Sequence, residues 1–489
     1  SEGAASANNS NSLYWQEETY LTYVKDINKH HINAMAGMSW QEYNYTKFEA
    51  SDSKYIDDFY GYYNLGSGTN RPSVGNDYDK WAMNSYFLRL AYSYDNKYMA
   101  TVTGRYDGSS KFGQNNKYAF FPSVGLGWMI SNEDFLKDNS LISKLKLHTS
   151  YGLTGNSEIG TYKSLATVSQ SNTIIGDALH VVSYLDNMPN PDLKWETTAQ
   201  WDFGIDMAFF NRRLRVTLDI YNKETSDLLR ERNLALSSGY DRMWVNDGKI
   251  RNRGFEVTID GVMVDKKDWS LNGTFIFSMN RNKVLDLGSS VESGLLKDAR
   301  TGMEYEVVGN LSEQYRSYTN ILAIGQPINV FYGYKCDGII QTLPEGLNAG
   351  LSGEDAMPGE FKYVNTYDGD GTQGVVNEND KCIIGDPNPD FTASLNLSFR
   401  WKKLDASIFL NGVFGNDVLN TKTFGDPHNA ALRWTPDNPT NKYPSLRDGR
   451  QTRFSDYWIE DGSFVRIQNL TVGYTFDLPK QYVYIIDYQ

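Results

Sequence analysis

What the chain lacks narrows its class before any motif is considered. No run of about 18 apolar residues occurs, so there is no transmembrane helix. The N-terminal "SEGAASANNSNS" has neither a basic start nor an apolar centre and does not read as a signal peptide. With two cysteines, Cys336 and Cys382, a multi-disulfide framework and a four-thiolate zinc site are excluded, while a single bridge remains open. The five histidines form no ligand spacing, and there is no nucleophile elbow or phosphate-cradling loop. Paired carboxylates such as those in "GDPNPD" are ordinary turn formers. An enzyme is therefore not expected. Basic patches are missing too: 60 acidic against 47 basic residues give a formal charge of −13, which argues against nucleic acid as a partner. Helical periodicity is confined to "SNEDFLKDNSLISK", where Ser131 or Asn132 would cap one short turn.

What is present is alternation. Glycine numbers 42, tyrosine 34, and aromatics make up 14% of the 489 residues, a bias that suits pleated strands joined by turns. Apolar and polar residues alternate over 18–25, 31–44, 84–95, 97–107, 118–130, 144–154, 197–210, 213–223, 252–263, 268–280, 391–401, 403–415 and 464–476, thirteen predicted strands. In "TAQWDFGIDMAFFNRRLRVTLDI", Trp201, Phe203 and Ile205, then Leu214, Val216, Leu218 and Ile220, occupy one face. Gln200, Asp202, Asp206, Arg215 and Asp219 occupy the other.

The connectors decide between a soluble sheet and a membrane barrel. Tight turns at Asp95–Lys97, Asn211–Arg212, Asp265–Asp268 and Lys402–Lys403 alternate with longer segments at roughly 45–83, 108–117, 155–196, 224–251, 281–390 and 416–463. A soluble antiparallel domain with one wet face accounts for the alternation within strands. It gives no reason for long connectors to gather at one end, as they do in outer-membrane barrels. A strand of about 10 residues, tilted about 45°, also spans roughly the apolar band of such barrels. The fold class is thus all-β: a transmembrane antiparallel β-barrel, partial at about 13 strands, with long extracellular loops, of which 281–390 is the largest. The apolar face is expected to meet lipid and the polar face the lumen or a plug.

Five blocks, in order, resemble the SusC/RagA family of TonB-dependent outer-membrane transporters. They are "RYDGSSKFGQNNKYAFFPSVGLGWMISNEDFL", "NPDLKWETTAQWDFGIDMAFFNRRLRVTLDIYNKETSDLL", "NDGKIRNRGFEVTIDG", "GDPNPDFTASLNLSF" and "YWIEDGSFVRIQNLTVGYTF". The similarity runs from about Tyr20 to Leu478. It implies an N-terminal signal, a TonB-contacting box and a lumenal plug. None of these is found in 1–489, which is read as the C-terminal barrel portion, unable to transport alone. Plugged transporters have about 22 strands, more than are counted here. By resemblance the function is TonB-dependent import of an oligosaccharide or peptide across the outer membrane, with a SusD-like surface lipoprotein as partner. The alternative is a non-transporting glycan-binding or structural barrel.

Three sets of loop residues are candidate sites. Aromatic faces stack on sugars, which singles out Tyr240, Trp244, Trp434, Tyr457 and Trp458 as ligand-binding candidates; rim or loop packing would account for the same residues. Asp368, Asp370, Asn377 and Asp380 in "NTYDGDGTQGVVNEND" resemble a calcium loop, although Thr366 stands where the first ligand belongs; a solvated Asp/Gly turn is the alternative. Cys336 and Cys382, in a loop that would pass through the oxidising periplasm, are candidates for one disulfide.

Overall fold

A computed structural model describes residues 3–476, apart from 58, 60, 71, 138, 289–294, 310, 311, 313, 314, 316, 370, 372, 421–430 and 447–451. Thirteen strands form one antiparallel sheet in chain order. They are β1 (Gly3–Ile27), β2 (His30–Tyr55), β3 (Ser73–Tyr94), β4 (Tyr98–Ser109), β5 (Tyr118–Met129), β6 (Ile142–Asn156), β7 (Glu196–Phe209), β8 (Leu214–Ser226), β9 (Lys249–Asp265), β10 (Trp269–Asp286), β11 (Phe391–Trp401), β12 (Leu404–Phe414) and β13 (Phe464–Tyr474). Each expected strand has its counterpart here. Their lengths do not all agree. β1 starts at Gly3 instead of 18, and the expected connector 45–83 shrinks because β2 runs to Tyr55 and β3 begins at Ser73.

The tight turns follow from backbone chirality. Asp95 and Asn96 both adopt φ of 52°, and Lys97 N–H donates to Tyr94 O at 2.9 Å. Positive φ at both central residues is the primed-turn geometry whose twist matches that of paired strands. The expected helical turn appears in two pieces, a 3-10 turn at Ile130–Asn132 and a turn in which Glu133 O accepts from Leu136 and Lys137 N–H at 2.9 Å each. Met129 is the N-cap of the first, and neither Ser131 nor Asn132 caps it.

The chain divides into two compact units. In the unit formed by 1–126, 150–200 and 225–247, strict register sorts β1–β4 into two faces. On one, Ile27, His30, Tyr94 and Tyr98 form a row at the short-turn end. Rows rich in aliphatics follow, such as Leu21–Ala36–Leu88–Gly104. Aromatics then return as Tyr86–Tyr106 and Trp40. On the opposite face Arg105 pairs with Asp107 at 2.8 Å and donates to Ser85 Oγ at 2.9 Å. Ser39, Ser85 and Asp107 are buried there. Above this sheet, Phe112, Phe121, Leu193 and Trp195 form a small core. A Cβ on Gly113 would stand 2.2 Å from the Pro191 carbonyl oxygen, so the two loops meet backbone to backbone at a position only glycine allows.

In the second unit, 127–149, 201–224 and 248–489, the polar face of β6–β8 gathers Lys144, His148, Asp206, Thr217 and Asp219. Lys144 Nζ lies 3.0 Å from Asp206. His148 Nε2 is 3.9 Å from Asp206 and 3.8 Å from Asp219, and a Cβ on Gly204 would strike both His148 and Asp219. The apolar partners in the alternation, Trp201 to Ile205 and Leu214 to Ile220, lie on the other side. The 281–390 connector is itself folded. Leu296–Lys297, Glu304–Val308, Asn320–Ala323, Val330–Gly333 and Cys382–Gly385 make a five-stranded sheet, and Cys336–Ile339 pairs with Phe361–Tyr363.

Candidate functional site

Of the five aromatic loop residues that sequence singled out, Trp458 is buried and Tyr240, Trp244, Trp434 and Tyr457 are half-buried. Trp458, Phe361, Phe454, Ile339 and Ile340 are at most 1% exposed and anchor the largest core of the second unit. Trp458 is ringed by Tyr457 at 4.9 Å, Tyr315 at 5.7 Å and Phe361 at 5.8 Å between centroids. A buried indole with covered faces has none to offer a sugar. Tyr457 packs edge-on against Phe361 and donates its hydroxyl to Lys442 O at 2.8 Å. Trp434 packs on the same core and donates Nε1–H to Gln341 Oε1 at 2.9 Å. In the other unit, Trp244 packs on the Phe112–Trp195 core with Lys163 Nζ 5.6 Å from its ring centre. Tyr240 is half-buried in a turn closed by Ser238 Oγ, which accepts from Tyr240 N–H at 3.2 Å. Of the five, Tyr457, Trp458 and Trp434 share one neighbourhood; Tyr240 and Trp244 belong to the other unit.

The Asp/Gly loop is built on Asp380. Its fully buried carboxylate accepts N–H from Thr366 at 2.6 Å, Tyr367 at 3.0 Å and Asn377 at 2.7 Å. Asn377 and Asp380 form a reciprocal cap around the turn Glu378–Asp380. Asp368 Oδ1 accepts from Gly374 N–H at 2.9 Å and from Asn365 Nδ2 at 2.8 Å. Asp370 lies outside the described residues. Carboxylate lone pairs committed to backbone N–H groups are not aimed at a cation, and among the described residues no three His, Cys, Asp or Glu side chains gather as a metal would require. Among the described residues, Asp368 and Asp380 are held by the loop's own N–H groups.

The disulfide expected between Cys336 and Cys382 is not formed. Both thiols are free. Cys382 pairs opposite Gly333 in the five-stranded sheet, whereas Cys336 pairs opposite Tyr363 in the two-stranded one, so register commits them to different ladders. Burial pushes the Cys336 thiol up to about 12, and the Cys382 thiol is also raised by burial.

Sequence reasoning missed Asp298, which is 2% exposed and accepts from Thr301 N–H and Oγ1–H at 2.7 Å each and from Tyr332 Oη–H at 2.9 Å. Burial works against its charge, but the bonds from Thr301 and Tyr332 prevail and hold the carboxyl below its ordinary range. The D-x-x-T spacing was the available signal, an Asx-type turn.

Thirteen strands in meander order, with a tight turn closing every odd-to-even pair except β5–β6 and longer connectors between the pairs, describe the wall of an outer-membrane β-barrel. No catalytic constellation accompanies it among the described residues. The chain belongs to the TonB dependent receptor-like, beta-barrel family, whose model matches residues 2–485. That is a family of outer-membrane transporters and not of enzymes. The chain is 34% identical over 488 residues to TonB-dependent receptor P3 of Formosa agariphila, covering 97% of this chain and 46% of that protein. Over 474 residues it is 28% identical to TonB-dependent receptor SusC of Bacteroides thetaiotaomicron, covering 94% of this chain and 44% of that protein. Among solved structures it superposes on the RagAB peptide transporter with a TM-score of 0.75 at 26% identity, over 97% of this chain and 50% of that one. The chain thus spans about half the length of the curated relatives it matches.

Proposed function

We propose that the chain is the C-terminal wall of an importer that carries an oligomeric nutrient, oligosaccharide or peptide, across the outer membrane. TonB drives the import, and a SusD-like lipoprotein presents the cargo. In this reading the apolar face meets lipid and the polar face, with its Lys144–Asp206–His148 cluster, meets the plug. One observation carries the proposal: the connectors at the outer end are not slack. The 281–390 and 416–463 segments fold into an aromatic core around Trp458, giving an ordered surface on which a partner can sit. Likeness to SusC and to the RagAB peptide transporter supports the same reading.

The intact protein, solubilised from outer membranes, should copurify with a surface lipoprotein that protects 281–390 and 416–463 from protease. The buried interface should exceed roughly 2,000 Å², as in permanent assemblies. Uptake should stop when the proton-motive force is collapsed, while cargo binding at the mouth persists. Uptake that continues would mean a passive pore.

A further inference from the structure

Between β6 and β7 the connector 155–196 raises a two-stranded hairpin, Val168–Ile175 paired antiparallel with Ala178–Leu185. Its root is fixed. Asn187, 3% exposed, donates Nδ2–H to Lys163 O at 2.9 Å and to Leu165 O at 2.7 Å. Beside it, Asp186 N–H donates to Thr167 O at 3.0 Å, and the Asp186 carboxylate holds Arg242 at 2.9 Å. Asn187–Met188 also pairs in parallel with Arg242–Met243. The hairpin is thus an arm tethered at its base, and little chain needs ordering when its free end meets a partner.

Register sorts the arm into two faces. On one, all eight residues are exposed, and five are aliphatic: Val168, Ile174, Leu179, Val181 and Leu185, between 39 and 72% exposed. On the other, Ser169, Thr173 and Val182 are half-buried. In an antiparallel pair with one wet face, the apolar face is ordinarily the one turned inward. A two-stranded hairpin standing alone is at best marginally stable in water, and a contiguous exposed apolar face marks a contact surface. Asp177, at the tip, is the only Asp, Glu, Lys or Arg in 168–185. The surface that covers the arm must therefore be apolar and uncharged as well.

Size decides among the occupants. A stable interface takes about 20–30 residues and roughly 800 Å² from each side. A second copy meeting the arm face to face across a twofold axis would use the same eight residues on both sides, well short of that. A partner seated over the outer end covers the arm together with other connectors, and the same unit offers Ile56, Phe59 and Tyr63, each more than four-fifths exposed. We propose that the 168–185 arm is a docking element for the SusD-like lipoprotein, laying its Ile174–Leu179–Val181 face on an apolar surface of that partner. The inference rests on the reading that such a lipoprotein sits at the outer end, and adds to it the element that holds it there.

The test uses the intact protein in outer membranes, with a photo-crosslinking amino acid in place of Leu179, of Val181 or, as control, of the exposed Ser171 on the other face. Mass spectrometry identifies each adduct, an acylated N-terminal cysteine marking a lipoprotein. Positions 179 and 181 should give at least about tenfold more lipoprotein adduct than position 171. Leu179→Lys and Val181→Lys should each lower the lipoprotein that copurifies by a similar factor, and Ser171→Lys should leave it. Heat-modifiable gel migration confirms that each variant is folded. Adducts to a second copy or to another part of the same chain, or none at either position, overturn the proposal. A lipoprotein that copurifies undiminished with both lysine variants sinks the arm and leaves the proposed function standing. An unaltered protein that brings down no lipoprotein sinks both.

Discussion

Ile205→Arg tests the assignment of faces most directly. β7 descends to the tight turn that begins at Phe210, so Ile205 stands five residues above it. Five residues at about 3.4 Å each and 45° tilt place it roughly 12 Å above the turn, near the middle of a band of about 25 Å. An arginine facing lipid at that depth costs about 2–4 kcal/mol, or roughly 1.5 to 3 powers of ten in the folding equilibrium. Thr217→Arg is the matched control. Thr217 sits at similar height on β8 but donates its hydroxyl to Asp206 Oδ1 at 3.3 Å, among Asp206, Asp219 and His148. A guanidinium there meets carboxylates rather than hydrocarbon, and its cost should stay below about 1 kcal/mol, the range of exposed ion pairs. Guanidinium titration of both variants in lipid bilayers, followed by tryptophan emission and gel mobility, reads the difference. If the two substitutions cost the same, the apolar face is not the lipid face and the barrel reading of this hairpin fails.

Asp380→Ala should leave three backbone N–H groups without their acceptor, a loss of about 3–5 kcal/mol by the cost of unsatisfied buried donors; proteolysis confined to 365–381 would show it, and unchanged resistance would refute it. Denatured without reductant, the chain should titrate two thiols, and natively Cys336 should react slowly because burial pushes its thiol up to about 12; one disulfide-linked species would contradict the register. Asp298, held below its ordinary range, stabilises the turn fully above the unfolded carboxyl value near about pH 4. That contribution is lost as pH falls through the lower folded value, so pepsin should open 296–332 progressively on acidification. In Asp298→Asn the acid-dependent step should vanish, and its persistence would assign the step to another group.

The thirteen strands could be read from sequence where lipid, or a protein core, demands an apolar face, because period 2 is then enforced by burial. Leu214, Val216, Leu218 and Ile220 could not be polar in that setting. Above the band the demand lapses. "NYTKFEASDSKY" and "GAASANNSNSLY" are polar on both faces, yet they continue as β2 and β1 because backbone pairing alone carries the ladder onward. The loop sheet escaped for a different reason: strands of two to five residues, such as Glu304–Val308, are too short to show a period. The burial of Trp458 could not be read from sequence, because a tryptophan on a sugar platform and one in a loop core have the same local sequence. Only the distant partners, Tyr315 and Phe361 for Trp458, tell them apart.

The Trp458 core also sets an order of events. Its members come from Tyr315 to Val376 and from Phe454 to Trp458, with β11 and β12 between them in the chain. If the barrel inserts from the periplasmic side, both connectors must reach the cell surface as open chain before Phe454 can meet Phe331. With the connectors at the extracellular end, as proposed above, the core would close only after insertion. On that placement it would act as a latch, since drawing either connector back would require dismantling the aromatic cluster around Trp458.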